Sequence, residues 1–180
     1  MKFKLPIGVC VLISLALVLF GLLFGTMTGF TEDRRQVTAL LEGENGLLDV
    51  LSYRGADGLN LCVVARRHLN NDLDVAALEK ASNQLRSESE SLVSKKQVDT
   101  QLNNKVETVA QKLTQTQSFK ESNRDGKYLD MLTTDLQNLS SSAMITTYNT
   151  AAKDFNTQLN APVIGDLAKM LGVKPCELYQ

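Results

Sequence analysis

The chain has 180 residues, 43% of them hydrophobic, and sets 19 Lys and Arg against 20 Asp and Glu for a net charge of −1. That balance excludes the basic excess of a nucleic-acid binder and the acidic run of a solvating tail. A single His and no Trp leave nothing for paired-imidazole metal centres, and the length allows one modest domain beside any membrane segment.

The first predicted element is a membrane anchor over residues 1–30. From Leu5 to Phe30 the chain carries no charge, behind Lys2 and Lys4, and a bilayer core needs about 20 apolar residues. A secretory signal would have a shorter apolar region, roughly 7–15 residues, and a small-residue cleavage site. Here Leu and Phe continue to Phe24, and a buried core helix rarely stays apolar on every face for so long. The expectation is a retained, single-pass span contacting the lipid bilayer through residues 5–30. Lys2 and Lys4 lean the N-terminus towards the cytoplasm under the positive-inside rule, against Arg34 and Arg35 beyond the span. Residues 31–180 would then stand outside the cytoplasm.

That region reads as helices. Val37, Leu40, Leu41, Leu47, Leu48 and Leu51 form a helical stripe. "EGENG" and "RGADG" interrupt it as an expected kink and an expected break, because each Gly costs about 1 kcal/mol in a helix interior. Asn70, Asn71, Asp72 and Asp74 form a turn whose carboxylates cap the next helix. Leu78, Leu85, Leu92, Val106 and Leu113 then share one seven-residue register, with Ala81, Leu102 and Val109 in the companion positions, as in an antiparallel bundle. Glu88, Lys95 and Asp99 occupy seam positions, so "SESESLVSKKQ" is expected to be a loop between helices over 75–88 and 96–116. "SFKESNRDG" is a turn. A last long helix carries Leu129, Leu132, Leu136, Leu139, Ala143, Tyr148, Ala152, Phe155 and Leu159. Pro162 then stands near a first helical position, and Gly172 is a natural stop. No strand is predicted. The fold class is all-α, an antiparallel helical bundle after an N-terminal transmembrane helix.

Catalytic motifs are absent. His68 stands beside Arg66 and Arg67, where a solvated helix face is expected. "NNDLDVAALEKA" has the alternating oxygens of a calcium loop, yet Val75 replaces the required Gly and Ala81 the bidentate Glu. No phosphate loop occurs, and no Ser or Cys has a base beside it in sequence. The expectation is a non-enzyme with no cofactor. Cys62 and Cys176 could form a disulfide if the bundle faces an oxidising compartment; in a reducing one they serve as small apolar residues.

"YNTAAKDFN" repeats an aromatic–Asn step at a seven-residue interval, Tyr148-Asn149 and Phe155-Asn156. Residues 148, 152, 155 and 159 share one face, so Tyr148 and Phe155 belong in the core. Asn149 and Asn156 sit at its border, where an amide can satisfy backbone groups of the segment that folds back, with the turn at Asn160–Pro162 the expected target. "TTYNTAAKDFNTQLNAPVIGDLAKMLGVKPCELY" resembles the ending of the bacterial LemA family. "RGADGLNL" resembles that family's basic-Asp-Leu-Asn-Leu stretch through Arg54, Asp57, Asn60 and Leu61. The resemblance implies a membrane span followed by a bundle of long helices in a bacterial membrane, and carries no catalytic residues. Residues 72–122 agree with it in pattern alone, which marks a divergent member.

Two functions follow as expectations. The first is a membrane-anchored interaction or scaffold protein of the cell envelope with an unidentified protein partner. The second is an extracytoplasmic ligand-binding or sensory bundle. A sensory role calls for a second span or an output domain that the sequence to Gln180 does not contain, so the first is favoured.

Overall fold

The computed structural model describes residues 6–180. Lys2 and Lys4, on which the orientation reading rests, and Leu5 at the start of the expected span lie outside the described residues. Among the described residues eight helices follow in order: α1 Ile7–Glu42, α2 Leu47–Arg66, α3 Leu73–Arg86, α4 Leu92–Gln115, α5 Gln117–Lys120, α6 Asn123–Ser140, α7 Ala143–Leu159 and α8 Ile164–Met170. No strand occurs among the described residues, and the fold is all-α. The chain divides into two compact units, Met1–Thr38 with Ala151–Cys176, and Ala39–Thr150 with Glu177–Gln180.

In the first unit, one helix near the N-terminus is long and apolar enough to cross a membrane. Its helix, α1, has 36 residues, and at 1.5 Å per residue that is roughly 54 Å, against about 30 Å of bilayer hydrocarbon. The apolar side chains between Ile7 and Phe24 stand exposed, whereas Phe30 and Val37, two helical turns apart, are buried. Phe30 meets Phe155 edge to face, with ring centroids 6.0 Å apart. At the end of α7 the chain turns sharply, and a Cβ on Gly165 would lie 2.3 Å from the Leu159 carbonyl oxygen, so only glycine fits there. Pro162 is not a first helical residue. It precedes a γ-turn in which Ile164 N–H donates to the Pro162 carbonyl at 2.8 Å, with Val163 at φ 69° and ψ −65°. A β-branched residue at that φ is strained. Gly172 stops α8 at φ 89°, as its place in the sequence predicts.

In the second unit α2 packs against α3, α4 and α6, and α3 packs against α4. Leu47, Leu51, Leu61, Leu78, Leu85, Leu102 and Leu113 are completely buried there. The seven-residue register thus marks the inner faces of α3 and α4. Two boundaries in this stretch differ from expectation. "EGENG" is a full break rather than a kink, with Asn45 at φ 59° and its N–H donating to Asp49. "RGADG" is no break at all but the middle of α2. Cβ atoms on Gly55 and Gly58 would strike the Ser82 carbonyl oxygen at 2.7 Å and the Ser82 hydroxyl at 2.2 Å, so these glycines let α3 approach α2 closely.

The expected last long helix is two helices, cut at Ser141–Ser142. Ser140 and Ser141 hydroxyls donate back to the Gln137 carbonyl, and the Ser142 hydroxyl accepts from Met144 N–H to start α7. Serine hydroxyls that compete for backbone groups in this way end helices. At the other end of the same region, "SFKESNRDG" is a short helix followed by the start of α6, whose cap Ser122 accepts from Asp125 N–H.

Candidate functional site

At the centre of the second unit Arg54 is completely buried. Its Nε donates to Asp99 Oδ1 and its Nη2 to Asn103 Oδ1, each at 2.7 Å, and its Nη1 to the Leu136 carbonyl. One guanidinium therefore ties α2 to α4 and α6. The planar fork suits this because it directs several donors at once towards a carboxylate, an amide and a carbonyl. Lys95, one turn before Asp99, donates to the Leu85 and Ser87 carbonyls at 2.7 and 2.6 Å and closes the end of α3. Burial pulls its pKa below the usual lysine value. Of the seam charges that suggested a loop over "SESESLVSKKQ", Lys95 and Asp99 are thus buried working groups of α4 while Glu88 stays exposed between the helices, and the loop shrinks to residues 87–91.

Against this network lies the extended C-terminal segment. Tyr148 Oη donates to the Glu177 carbonyl at 2.6 Å. Asn149 accepts from Tyr179 N–H through Oδ1 and donates to the Tyr179 carbonyl through Nδ2, each at 2.9 Å. One amide thereby satisfies both main-chain groups of one residue. The Glu177 carboxylate accepts from the N–H groups of Leu92 and Val93 at 3.2 and 3.5 Å. These are free donors at the start of α4, where the helix dipole also favours negative charge. The Tyr179 ring is 1% exposed, with the Lys96 ammonium 5.0 Å from its centroid. Its hydroxyl is buried beside Asp99; burial first, and then the neighbouring carboxylate, raise its pKa.

The first unit repeats the device. Asn156 donates to the Cys176 carbonyl at 2.8 Å and accepts from Cys176 N–H at 2.7 Å, while Phe155 is 2% exposed. Arg34 Nη1 donates to the Lys174 carbonyl at 3.0 Å. The asparagines therefore hold residues 176 and 179, not the turn at Asn160–Pro162. The Asn160 side chain instead accepts from Lys169 Nζ at 2.8 Å.

His68 does not face solvent. Its side chain is 7% exposed, its Nε2 lies 2.9 Å from Asp125 Oδ2 and its Nδ1 2.9 Å from Ser118 Oγ, and Phe119 meets the ring edge-on. Asp125 also pairs with Arg67 and Arg124, and the His68 hydrogen bond leads the causes that hold its pKa down at about 2. Hydroxyl, imidazole and carboxylate in line have the order of a nucleophilic relay. Here the carboxylate is shared with two arginines and the ring is sealed by Phe119, so the trio works as a clasp between the end of α2 and α5–α6. Asp72 caps α3, accepting from the N–H groups of Asp74 and Val75. Lys112 bonds Asp72 and Asp74, and Lys105 bonds Asp74. No group of three or more metal-ligating side chains gathers among the described residues.

Cys62 is buried with its thiol against the Val75 carbonyl, and burial raises its pKa to about 11. Cys176 is half-buried, and both thiols are free. No family model, curated protein or solved structure matches the chain. Its own geometry therefore defines its class: an all-α protein that seats an extended segment of itself through asparagine and tyrosine side chains.

Proposed function

We propose that this chain is a divergent LemA-type protein of the bacterial cell envelope, held in the membrane by a single span. Residues 31–180 form an antiparallel helical bundle that acts as a non-enzymatic interaction or scaffold module. The observation that carries the reading is the contrast along α1. Its apolar side chains are exposed from Ile7 to Phe24 and buried at Phe30 and Val37. Thirteen large apolar side chains left in water there would expose an apolar surface far larger than soluble proteins tolerate, so lipid is the natural covering. The aromatic–Asn steps that motivate the family resemblance support it further, because each has a definite task in holding the C-terminal segment.

The competing reading, a ligand-binding bundle, has in its favour a groove of about 260 Å³ between α2 and α6, lined by Asn60, Val63, Arg67, Arg124, Tyr128 and Met131. Small-molecule sites usually occupy about 300–1,000 Å³ with a mostly apolar lining. A larger groove of about 640 Å³ between α3 and α4 is lined mainly by Lys80, Gln84, Gln97, Gln101 and Lys105. Neither offers the enclosed apolar wall that gives a ligand its affinity.

The test is membrane fractionation of the full chain with an alkaline wash, followed by impermeant thiol labelling of Glu107→Cys in a cysteine-free background. Glu107 is exposed on α4. Retention in the membrane with labelling in intact cells is expected. Release by the wash would refute the anchor, and labelling only after lysis would refute the extracytoplasmic placement.

A further inference from the structure

The turn after α7 and the short helix α8 carry an apolar surface that the chain itself leaves bare. Val163, Ile164, Met170 and Leu171 are 77, 58, 84 and 37% exposed. Among the described residues of the first unit, every other exposed large apolar side chain lies on α1 between Ile7 and Met27. Around α8 the residues sort into three edges at helical spacing. Gly165 and Ala168 are buried, and Asp166 and Lys169 form a charged edge with 3.9 Å between their charged atoms. Ile164, Leu167, Met170 and Leu171 fall together on the third edge. We propose that this apolar edge, with Val163 at the tip of the turn, dips into the surface of the bilayer that α1 crosses, so that the protein holds the membrane at two places. The inference rests on the membrane-span reading and adds a second lipid contact to it.

Three observations carry it. From Ile7 to Gly25 every residue of α1 is exposed. At 1.5 Å per residue that stretch is about 28 Å long, close to the ~30 Å of a hydrocarbon core. The covered stripe of α1 begins at the next residue: Thr26, Phe30, Asp33 and Val37, at four- and three-residue steps, are half-buried or buried. In a bilayer crossed by α1 the hydrocarbon therefore ends near Thr26.

The second observation is the direction of α7. Helix α1 leaves the first unit at Thr38, while α7 enters it at Ala151, so the two run in opposite senses and α7 ends pointing back towards the span. Phe155 lies on Phe30, which is about 7 Å beyond Gly25 along α1, and α7 then runs about 6 Å the other way to Leu159. The turn that follows is thereby brought back to the level of the hydrocarbon edge. The third observation is Val163 itself, held at φ 69° with its side chain exposed to solvent. Strained backbone of this kind clusters where function uses it. Bare apolar patches mark membrane or protein contacts, and the paired Asp166–Lys169 edge brings no net charge to the phosphate layer.

The experiment uses the full chain reconstituted in vesicles of equal parts phosphatidylcholine and phosphatidylglycerol. In a cysteine-free background, single nitroxide labels are attached to Val163→Cys, to Met170→Cys, to Leu15→Cys in the span, and to Asp154→Cys, an exposed position of α7. Paramagnetic resonance compares collisions with oxygen, which concentrates in lipid, against collisions with a water-soluble nickel chelate. The oxygen-to-nickel ratio at positions 163 and 170 is expected to lie between those at 154 and 15, and to exceed that at 154 by about fivefold or more, as for apolar groups buried at the headgroup boundary. Ratios at 163 and 170 equal to that at 154, with position 15 in lipid, would overturn the proposal and leave the span intact. A water-accessible position 15 would overturn the span and this inference with it. Labels at 163 and 170 shielded from both agents would also overturn it, by showing that protein covers the patch. The wild-type chain gives an independent reading that needs no substitution. A phospholipid carrying a diazirine close to its headgroup is expected to leave adducts on residues 160–171, found by mass spectrometry, and adducts confined to α1 would refute the second contact.

Discussion

Replacing Arg54 by Met tests the centre of the second unit. The wild-type guanidinium is completely buried and bonds Asp99, Asn103 and the Leu136 carbonyl. Arg54→Met keeps most of the buried stem and removes the charge. Asp99, only 4% exposed, then stays as a buried carboxylate without its cation. Breaking a buried pair from one side costs about 3–5 kcal/mol, which for a domain of this size corresponds to a fall in melting temperature of roughly 6–20 °C. Asp99→Leu should cost a similar amount for the opposite reason, a buried guanidinium without its carboxylate. The double variant is expected to be more stable than either single one, because an apolar pair removes both uncompensated charges together. Urea unfolding of the full chain in detergent, followed by helical circular dichroism, measures all four proteins, and a constant urea slope validates the comparison. The reasoning fails if Arg54→Met costs less than about 1 kcal/mol, or if the double variant loses the sum of the two single losses.

Phe155→Ala should destabilise the first unit by about 3–5 kcal/mol, since the ring is 2% exposed and meets Phe30 edge-on; an unchanged thermal midpoint would place the ring outside the core. Gly126 lies in α6 with nothing near its would-be Cβ, so Gly126→Ala should stabilise by up to about 1 kcal/mol. Gly58→Ala meets Ser82 Oγ at 2.2 Å and should lower stability by about 1–3 kcal/mol despite the better helix propensity, with chemical denaturation separating the two. Asp125 titrates at about 2 in the folded chain, below the value near 3.9 of an unfolded aspartate. A depressed folded value gives stability that is present above pH ~4 and is lost as pH falls towards 2. Thermal midpoints across that window should drop in the wild type and drop less in Asp125→Asn. A residual decline is expected from Asp74, which also titrates at about 2 beside Lys105 and Lys112.

What the sequence makes legible depends on how local the signal is. The leucine register marks α3 and α4 because seven-residue spacing records the inner face of a helix directly. The caps at Asp72 and Gly172 are equally local, each being a single residue type with a preferred backbone state. Gly55 and Gly58 mislead because propensity describes an isolated helix, while their value lies in the approach of Ser82 from another helix. His68 misleads in the same way. Its neighbours Arg66 and Arg67 suggest solvent, but Ser118, Phe119 and Asp125 come from fifty or more positions along the chain. Lys95 and Asp99 carry a true signal read in the wrong sense: a charge at a seam position marks either a loop or a buried network, and only Arg54 on another helix decides which. Glu177 and Tyr179 have no periodicity, so nothing in their own spacing reveals the seat.

The aromatic–Asn repeat shows how such a seat becomes readable from its other half. An extended segment beside a helix has main-chain N–H and C=O groups that the helix backbone cannot satisfy, since its own groups are used internally. A carboxamide carries a donor and an acceptor on one planar group, so one Asn at the border of the buried face satisfies one residue of the segment completely. Asn149 does so for Tyr179 and Asn156 for Cys176. The aromatic residue before each Asn points into the core and fixes the helix rotation that keeps the amide at the border. Asp in place of Asn149 would leave the Tyr179 carbonyl without its donor, and Leu would leave both the Tyr179 N–H and its carbonyl unpaired.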